Sequence, residues 1–210
     1  MTIEGTSRAG RPERARNARG QGARLRDELL AAALRVLDRD GVEQVTLRAV
    51  ARETGVAAPS IYRQFDDLQA LLAEVAGGCF ASLADQITAA RDRHRTPEHR
   101  LTAACGAYLA FAEAHPHRYD LLFRRDPDPQ GVEPEDAAPA GAATFALLRD
   151  AVSDCLPPTG TPSALTATAA AIWVGLDGYA NLHRHRPHFP WPTRQVMLTR
   201  LVEDHLAGTR

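Results

Sequence analysis

The stretch from Thr46 to Phe65 constrains this chain most, because it fits two short amphipathic helices joined by a glycine turn. The inward positions are Leu47, Val50 and Ala51 on the first helix, and Ile61 and Phe65 on the second. Thr46 is suited to cap the first helix, and Gly55 stands where a tight turn needs a positive backbone angle. This arrangement predicts a helix-turn-helix.

Helical periodicity continues along the rest of the chain, and no segment shows sustained alternation with a period of two. Apolar stripes predict a long connecting helix over residues 67–91 and a strongly apolar helix over residues 163–183. The pair Gly77 and Gly78 lowers helix propensity, so we expect a bend or a close helix contact there. A proline-rich loop is expected over residues 126–139.

The predicted fold class is therefore all-α, with about nine helices in two parts. We expect a disordered, arginine-rich tail over residues 1–22 and a three-helix, N-terminal helix-turn-helix domain over residues 23–70. Residues 71–210 are predicted to form a second helical domain that binds an effector and forms a dimer.

Charge is distributed unevenly along the 210 residues, although the formal net charge is only -1. Residues 1–26 contain seven arginines and two glutamates, so the remainder of the chain is acidic. The tail arginines could enter the minor groove of DNA, or the tail could be a solvated end without a role in binding. The sequence leaves both alternatives open.

Several functional classes are disfavoured by missing motifs. No run of eighteen apolar residues and no secretory signal occurs, so we expect a cytoplasmic protein that makes no membrane contact. No phosphate-binding glycine loop, no G-x-S-x-G and no HExxH occurs, so neither an enzyme nor a cofactor is expected. Cys79, Cys105 and Cys155 are expected to be buried free thiols rather than disulfides or metal ligands.

Read continuously, the segment that begins at Thr46 is TLRAVARETGVAAPSIYRQFDDLQALL. It closely resembles the DNA-binding segment of the tetracycline repressor (TetR) family. In that family a T-hydrophobic-R-x-hydrophobic-A-x-x-x-G-V core leads into a recognition helix that ends in Y-x-[HY]-F. The resemblance covers about residues 24–72. It implies a dimeric transcriptional regulator, in the family's commonest mode a repressor, that binds double-stranded operator DNA and responds to a small-molecule effector.

The resemblance also implies which residues contact DNA. They are Thr46, Arg48, Ala57, Ala58, Pro59, Ser60, Tyr62, Arg63 and Gln64. Thr46 and Tyr62 match positions that contact phosphate, and the small residues from Ala57 to Ser60 match those nearest the base edges. Two residues depart from the family pattern. Gln64 replaces the usual His or Tyr, and Leu68 replaces a common phosphate-contacting lysine, so Arg63 and the tail are expected to supply the missing charge.

The C-terminal part resembles a subgroup of the family in two places. These are PHRYDLLF over residues 116–123 and AIWVGLDGYA over residues 171–180. The second matches a W-x-x-x-H-G motif in which Asp177 replaces the His and Gly178 is retained. Small residues on this helix favour close packing, so we expect a homodimer formed through residues 163–207 that reads an inverted repeat.

An effector pocket is predicted from aromatic residues at helical spacing. The candidate residues are Tyr108, Phe111, Phe123, Phe145, Trp173 and Asp177, with His183 or Arg149 as further orienting groups. The same aromatic residues could instead be ordinary core. The competing interpretation of the whole chain is a helical protein-interaction or metal-sensing module with weak or non-specific DNA binding. The histidines at 183, 185 and 188 suggest the metal, but their spacing is poor for one helix face and no metal site is predicted.

Overall fold

The computed structural model describes residues 21–123, 137–157 and 161–207, and all regular secondary structure in these ranges is helical. The elements are α1 (Gln21–Asp40), a 3-10 turn (Val42–Gln44), α2 (Leu47–Thr54), α3 (Ala58–Ile61), α4 (Leu68–Arg91), α5 (Pro97–Ala114), α6 (Pro116–Phe123), α7 (Ala137–Ser153), α8 (Pro162–His185) and α9 (Arg194–Ala207). Nine α-helices in the described ranges confirm the all-α prediction.

The predicted helix ends around the helix-turn-helix are confirmed. The Thr46 hydroxyl accepts a hydrogen bond from the Ala49 N–H at 3.1 Å and caps α2. Gly55 ends α2 with a φ of 71°, in the left-handed region that glycine tolerates best. Asp67 then caps α4 by accepting from the Ala70 N–H at 2.8 Å. Local side-chain chemistry thus sets both the turn and the start of the connecting helix.

An N-terminal core joins α1, α2, α3 and the first half of α4. Fully buried members from different helices include Leu29, Leu37, Val50, Ile61 and Leu71. The spacing of Ile61 and Phe65 directs both side chains into this core, as the sequence predicted. The exposed face of α3 is thereby left on the outside of the protein.

A C-terminal core is formed by α5 to α9 with the second half of α4. Leu83, Leu101, Phe111, Ile172 and Leu176 are among its buried residues. Helices α5 and α7 pack along α4, and α9 packs against α5 and α8. The result is a helical bundle built on the far end of the connecting helix.

The connecting helix α4 differs from the prediction at its glycines. An added Cβ at Gly77 or Gly78 would meet nothing within 4 Å, so the expected close helix contact is wrong. By length and composition α4 is apolar enough to cross a membrane, but half of its apolar window is buried. That burial is typical of a core helix in a soluble protein, in which flanking helices cover the apolar surface.

Several helix boundaries differ from those predicted. Helix α1 begins at Gln21 rather than near Arg24, and α8 continues to His185. Helix α7 begins at Ala137, so the end of the predicted proline-rich loop is helical because proline is tolerated in a first turn. The rest of that loop and residues 1–20 of the predicted tail lie outside the described residues.

Candidate DNA-binding surface and effector cavity

The outer side of α3 and the following turn presents most of the predicted DNA contacts. Ala57 and Pro59 are exposed, Ser60 is half-buried, and Tyr62 is 56% exposed. The Arg63 guanidinium donates to the Ser60 hydroxyl at 3.0 Å, which holds it along the same surface. Ala58 is the first residue of α3, and its side chain is outside the described part. The small residues at the start of α3 leave the backbone accessible to a groove.

The N-terminal end of α2 adds two more of the predicted contacts. Thr46 and Arg48 are both exposed. The Thr46 hydroxyl already accepts from Ala49, and its own hydrogen remains available to donate to a phosphate oxygen. The structure therefore brings the α2 start and the α3 face together on one module, where their roles in DNA contact stay predictions.

The backbone of Gln64 is held by Arg26, a residue of α1 that the sequence interpretation counted only among the N-terminal charges. The Arg26 guanidinium donates to the Gln64 backbone carbonyl, pairs with the Glu74 carboxylate, and lies 4.3 Å from the centre of the Phe65 ring. Arg26 thus ties α1 and α4 to the turn that follows α3, and its charge is paired within the protein. A helical i,i+4 signal could not reveal this role, because its partners lie 38 and 48 residues away in sequence.

Leu68 is half-buried and packs against the N-terminal core at the first turn of α4. Its departure from the family's lysine therefore adds apolar contact while removing a cation. Arg63, five residues earlier in the sequence, is an exposed cation on the turn that follows α3. The charge expected from residues 1–20 lies outside the described part.

A cavity of about 150 Å³ lies in the C-terminal core between α4, α5, α7 and α8, with Phe123 of α6 at its wall. Four of the six predicted pocket residues line it: Tyr108, Phe123, Phe145 and Trp173. Their rings contact one another, with Phe123 and Phe145 lying 6.2 and 5.7 Å from Trp173 between ring centres. The aromatic signal in the sequence therefore located most of this cavity.

Two predicted pocket residues do not line it. Phe111 is fully buried elsewhere in the C-terminal core, with its ring 5.2 Å from that of His115, because α5 turns this position away from the cavity. Asp177 lies behind the wall, where its two carboxylate oxygens accept from the Tyr119 hydroxyl and the Asn181 amide. Arg149 and His183 are exposed and also lie outside the lining.

The sequence pattern did not reveal the contribution of α4 to the lining, and on α7 it revealed only Phe145. Phe80 and Ile87 of α4, and Gly141, Thr144 and Leu148 of α7, complete the wall. Apolar residues at helical spacing are predicted to be buried. The spacing does not show whether a buried side chain packs against another side chain or lines a cavity.

Comparison with known proteins places both parts of the chain. Residues 29–75 match the model described as bacterial regulatory proteins, tetR family. Residues 101–205, half of the chain, match the model described as tetracyclin repressor-like, C-terminal domain. The chain belongs to the TetR family. As a TetR-family protein it is a DNA-binding transcriptional regulator and not an enzyme, and the helix-turn-helix resemblance is confirmed.

Two curated relatives have related sequences. An uncharacterized HTH-type transcriptional regulator from Mycobacterium tuberculosis is 32% identical over 122 residues, which is 56% of this chain and 53% of the relative. The uncharacterized HTH-type transcriptional regulator YobS from Bacillus subtilis is 32% identical over 95 residues, 45% of this chain and 49% of the relative. The matched part thus spans about half the length of each relative.

Solved structures share the fold over a longer range. A Rhodococcus protein of unknown function has a TM-score of 0.73 and 27% identity, covering 88% of this chain and 95% of that one. The transcriptional regulator FadR from Bacillus subtilis, solved in complex with stearoyl-CoA, has a TM-score of 0.67 and 12% identity, covering 88% and 99%. The second likeness shows the fold alone.

Apolar side chains are exposed on α8 and α9 of this TetR-family chain. Val174 and Leu182 of α8 are 68% and 51% exposed, and Val196 of α9 is 52% exposed. Gly175 is used within the chain, because an added Cβ there would lie 2.5 Å from Leu201 of α9. Gly178 meets nothing within 4 Å. Of the two glycines expected to favour dimer packing, only Gly178 leaves open space.

The cysteines and histidines form no metal site within the described ranges, where no group of three or more potential ligands occurs. All three cysteines are free; Cys79 and Cys105 are buried and Cys155 is half-buried. Burial raises the pKa of Cys105 to about 12 and that of Cys79 to about 11, so both remain thiols at neutral pH.

Proposed function

We propose that this protein is a cytoplasmic, ligand-responsive repressor that binds an inverted-repeat operator as a homodimer and is released when a small molecule occupies the C-terminal cavity. The observation that carries the proposal is the placement of α4. One continuous helix contributes to the core beneath the DNA-binding surface and to the wall of the cavity.

The two ends of α4 have different neighbours. Leu71, Leu72 and Val75 belong to the N-terminal core, whereas Phe80 and Ile87 line the cavity. A ligand that displaces the Phe80 ring therefore acts on the helix that supports α3. An effector that prefers the non-binding arrangement by about 1–3 kcal/mol would weaken DNA binding by roughly 5- to 150-fold.

Dimerisation through residues 163–207 is supported by the exposed apolar face of α8 and α9. Val174 and Leu182 are two turns apart on one side of α8, with Gly178 between them. Pairing this face with a second copy removes apolar surface from water and generates two-fold symmetry. Two symmetric α3 helices would then read half-sites roughly 34–36 Å apart.

Cavity size limits the effector. A void of about 150 Å³ suits a molecule near the size of a substituted benzene. Long acyl-CoA ligands, such as the one bound by the Bacillus subtilis protein, would need a much larger opening. We therefore propose a compact, apolar effector for this chain.

The decisive test is selection of bound fragments from sheared genomic DNA of the source organism at two salt concentrations. We expect enrichment of a short inverted repeat. On that site, Arg63→Ala should weaken binding and reduce the slope of log affinity against log salt by about 1, because one phosphate contact is lost. Tyr62→Ala should weaken binding roughly uniformly across operator variants.

Arg93→Ala is the matched control, because Arg93 is exposed at the opposite end of α4 from the helix-turn-helix. It should leave both affinity and salt slope unchanged. Diffuse binding without an enriched repeat, or equal effects of Arg63→Ala and Arg93→Ala, would instead favour an interaction module that binds DNA only by charge.

A further inference from the structure

The cavity wall has few polar atoms, and their hydrogen bonds can be followed one by one. Tyr108, Thr144 and Trp173 are the lining residues with a side-chain hydroxyl or indole N–H. The Thr144 hydroxyl donates to the Ala140 carbonyl at 3.0 Å. The Trp173 Nε1–H donates to the Tyr108 oxygen at 3.3 Å. Both of these protons are therefore engaged inside the protein, and the Thr144 oxygen keeps lone pairs that can accept a hydrogen bond.

The remaining donor, the Tyr108 hydroxyl, has a direction that its neighbours determine. Tyr119 has a single hydroxyl proton, and it donates this proton to Asp177, whose carboxylate can only accept. The contact of 3.2 Å between the Tyr108 and Tyr119 oxygens must then run from Tyr108 to Tyr119. A chain of donation therefore leads from Trp173 through Tyr108 and Tyr119 to Asp177.

This series of hydrogen bonds leaves the Tyr108 hydroxyl able to accept a further hydrogen bond but not to donate one. The oxygen accepts one bond from Trp173 and donates its proton to Tyr119, so one lone pair remains. Burial raises the pKa of Tyr108 to about 12 and raises that of Tyr119 further, so both phenols keep their protons at neutral pH. The direction of these hydrogen bonds therefore does not change over the physiological pH range.

Charge adds a second restriction on the ligand. None of the lining residues that the structure describes is charged, and the thiol of Cys105 keeps its proton. A carboxylate or ammonium group in the cavity would lose its hydration without gaining a partner of opposite charge. Charged ligands are therefore excluded by the same wall that favours aromatic ones.

We propose that the cavity selects small, uncharged, mainly aromatic molecules that carry a hydrogen-bond donor, such as a phenol or an arylamine, and that Tyr108 is the specificity-determining acceptor. Asp177 and Tyr119 are positioning residues, because they orient the Tyr108 proton away from the ligand. The inference rests on the proposed role of this cavity as the effector site.

The experiment compares two probes of similar size and hydrophobicity, phenol and benzonitrile, by NMR titration of the full-length protein without DNA. Phenol can donate a hydrogen bond, whereas benzonitrile can only accept one. We expect phenol to bind roughly 5- to 10-fold more tightly, because phenol can donate a hydrogen bond to Tyr108 and benzonitrile cannot. One such hydrogen bond typically changes affinity by about this factor. A loss of this preference in Tyr108→Phe is the second expected result.

Tyr119→Phe provides the sharper test. Without the Tyr119 oxygen, the Tyr108 proton has no internal acceptor and can turn to the cavity, so the preference should move toward benzonitrile. If Tyr119 had a purely structural role, Tyr119→Phe would weaken the binding of both probes equally. Tyr179→Phe is the matched control, because the Tyr179 hydroxyl donates to the Pro192 carbonyl away from the cavity lining. It should keep the wild-type ratio.

Outcomes for this inference and for the proposed function can be separated. Equal binding of phenol and benzonitrile, or an unchanged ratio in Tyr108→Phe, would overturn the donor preference even if both compounds released DNA. A clear preference for phenol without any effect on operator affinity would support the ligand class and contradict the effector role. If neither phenol nor benzonitrile shifted resonances of cavity residues, both the inference and the proposed function would be overturned.

Discussion

The N-terminal and C-terminal cores of this protein are packed from different kinds of side chain. The N-terminal core is mainly Leu, Val, Ala and Ile, with Phe65 as the one aromatic residue among its described buried members. The C-terminal core contains Tyr108, Phe111, Tyr119 and Tyr179 and places further rings around a void. Protein interiors are normally close-packed, but the rings of the C-terminal core surround a void of about 150 Å³.

This difference fits the roles that we propose for the two regions, DNA binding for the first and ligand binding for the second. The module that carries α3 must hold one geometry, and its core is continuous from α1 to α4. The region that takes a ligand needs removable contacts and open volume. Four measurements test whether the two cores differ in packing and in buried polar groups.

Matched leucine truncations test the packing difference directly. Leu71→Ala removes a fully buried side chain from the N-terminal core and should lower the free energy of unfolding by about 2–5 kcal/mol. Leu148→Ala should cost less, because one side of Leu148 already faces the cavity and has fewer contacts to lose. Urea unfolding measures both. A loss for Leu148→Ala as large as that for Leu71→Ala would show that the two cores are equally close-packed.

Alkaline pH should destabilise the C-terminal region more than the N-terminal region, because more buried acidic protons lie in the C-terminal core. Burial raises the pKa of Tyr108 from 10.0 and of Cys105 from 9.0 to about 12 each, so the folded state holds protons that the unfolded chain has released. The stabilising effect is complete below the unfolded pKa and is lost as pH rises toward 12. Each group should lower the free energy of unfolding by about 1.4 kcal/mol per pH unit in that window.

The pH effect is checked by urea unfolding between pH 8 and 11. Tyr108→Phe should flatten the decline, whereas Tyr62→Phe, at an exposed position, should leave it unchanged. Equal slopes in the wild type and Tyr108→Phe would contradict the burial argument.

The Arg118–Asp38 ion pair tests how the two regions are joined. The Arg118 guanidinium donates to both Asp38 oxygens at 2.7 and 2.6 Å, and this bidentate pair links α6 to α1. Because Asp38 is 38% exposed, we expect a coupling energy of only about 0.5–1 kcal/mol from a double-mutant cycle with Arg118→Ala and Asp38→Ala. Arg39→Ala with Asp38→Ala is the control cycle and should show no coupling.

Two helical glycines give the smallest test. Gly106→Ala should stabilise the protein by up to about 1 kcal/mol, since the new Cβ would lie at an ordinary 3.6 Å from Leu198. Gly141→Ala should gain as much only if the Phe80 ring, 3.3 Å from the new Cβ, shifts into the cavity. Thermal unfolding separates the two cases. A destabilised Gly141→Ala would mean that the Phe80 side of the cavity wall is rigid.

Helices and helix ends could be predicted from the sequence alone, because they depend on residues close to one another in the chain. Periodicity identified the helices, and Thr46 and Gly55 identified the ends of α2 because capping and a positive φ depend on residues within a few positions. The same local chemistry identified the family through one continuous segment. Six residues were predicted from the sequence to line a pocket, and four of them, all aromatic, line the cavity.

Which buried residues line the cavity, and which polar side chains form hydrogen bonds with each other, depends on long-range packing that the sequence pattern does not show. Phe111 is as aromatic as Phe123, yet one is packed and the other lines the cavity, because helix rotation and long-range packing determine this. Arg26 and Asp177 found partners 38 or more residues away, where no spacing rule applies. The direction of the Tyr108 proton follows from four side chains on three helices, which makes it a property of the fold rather than of any motif.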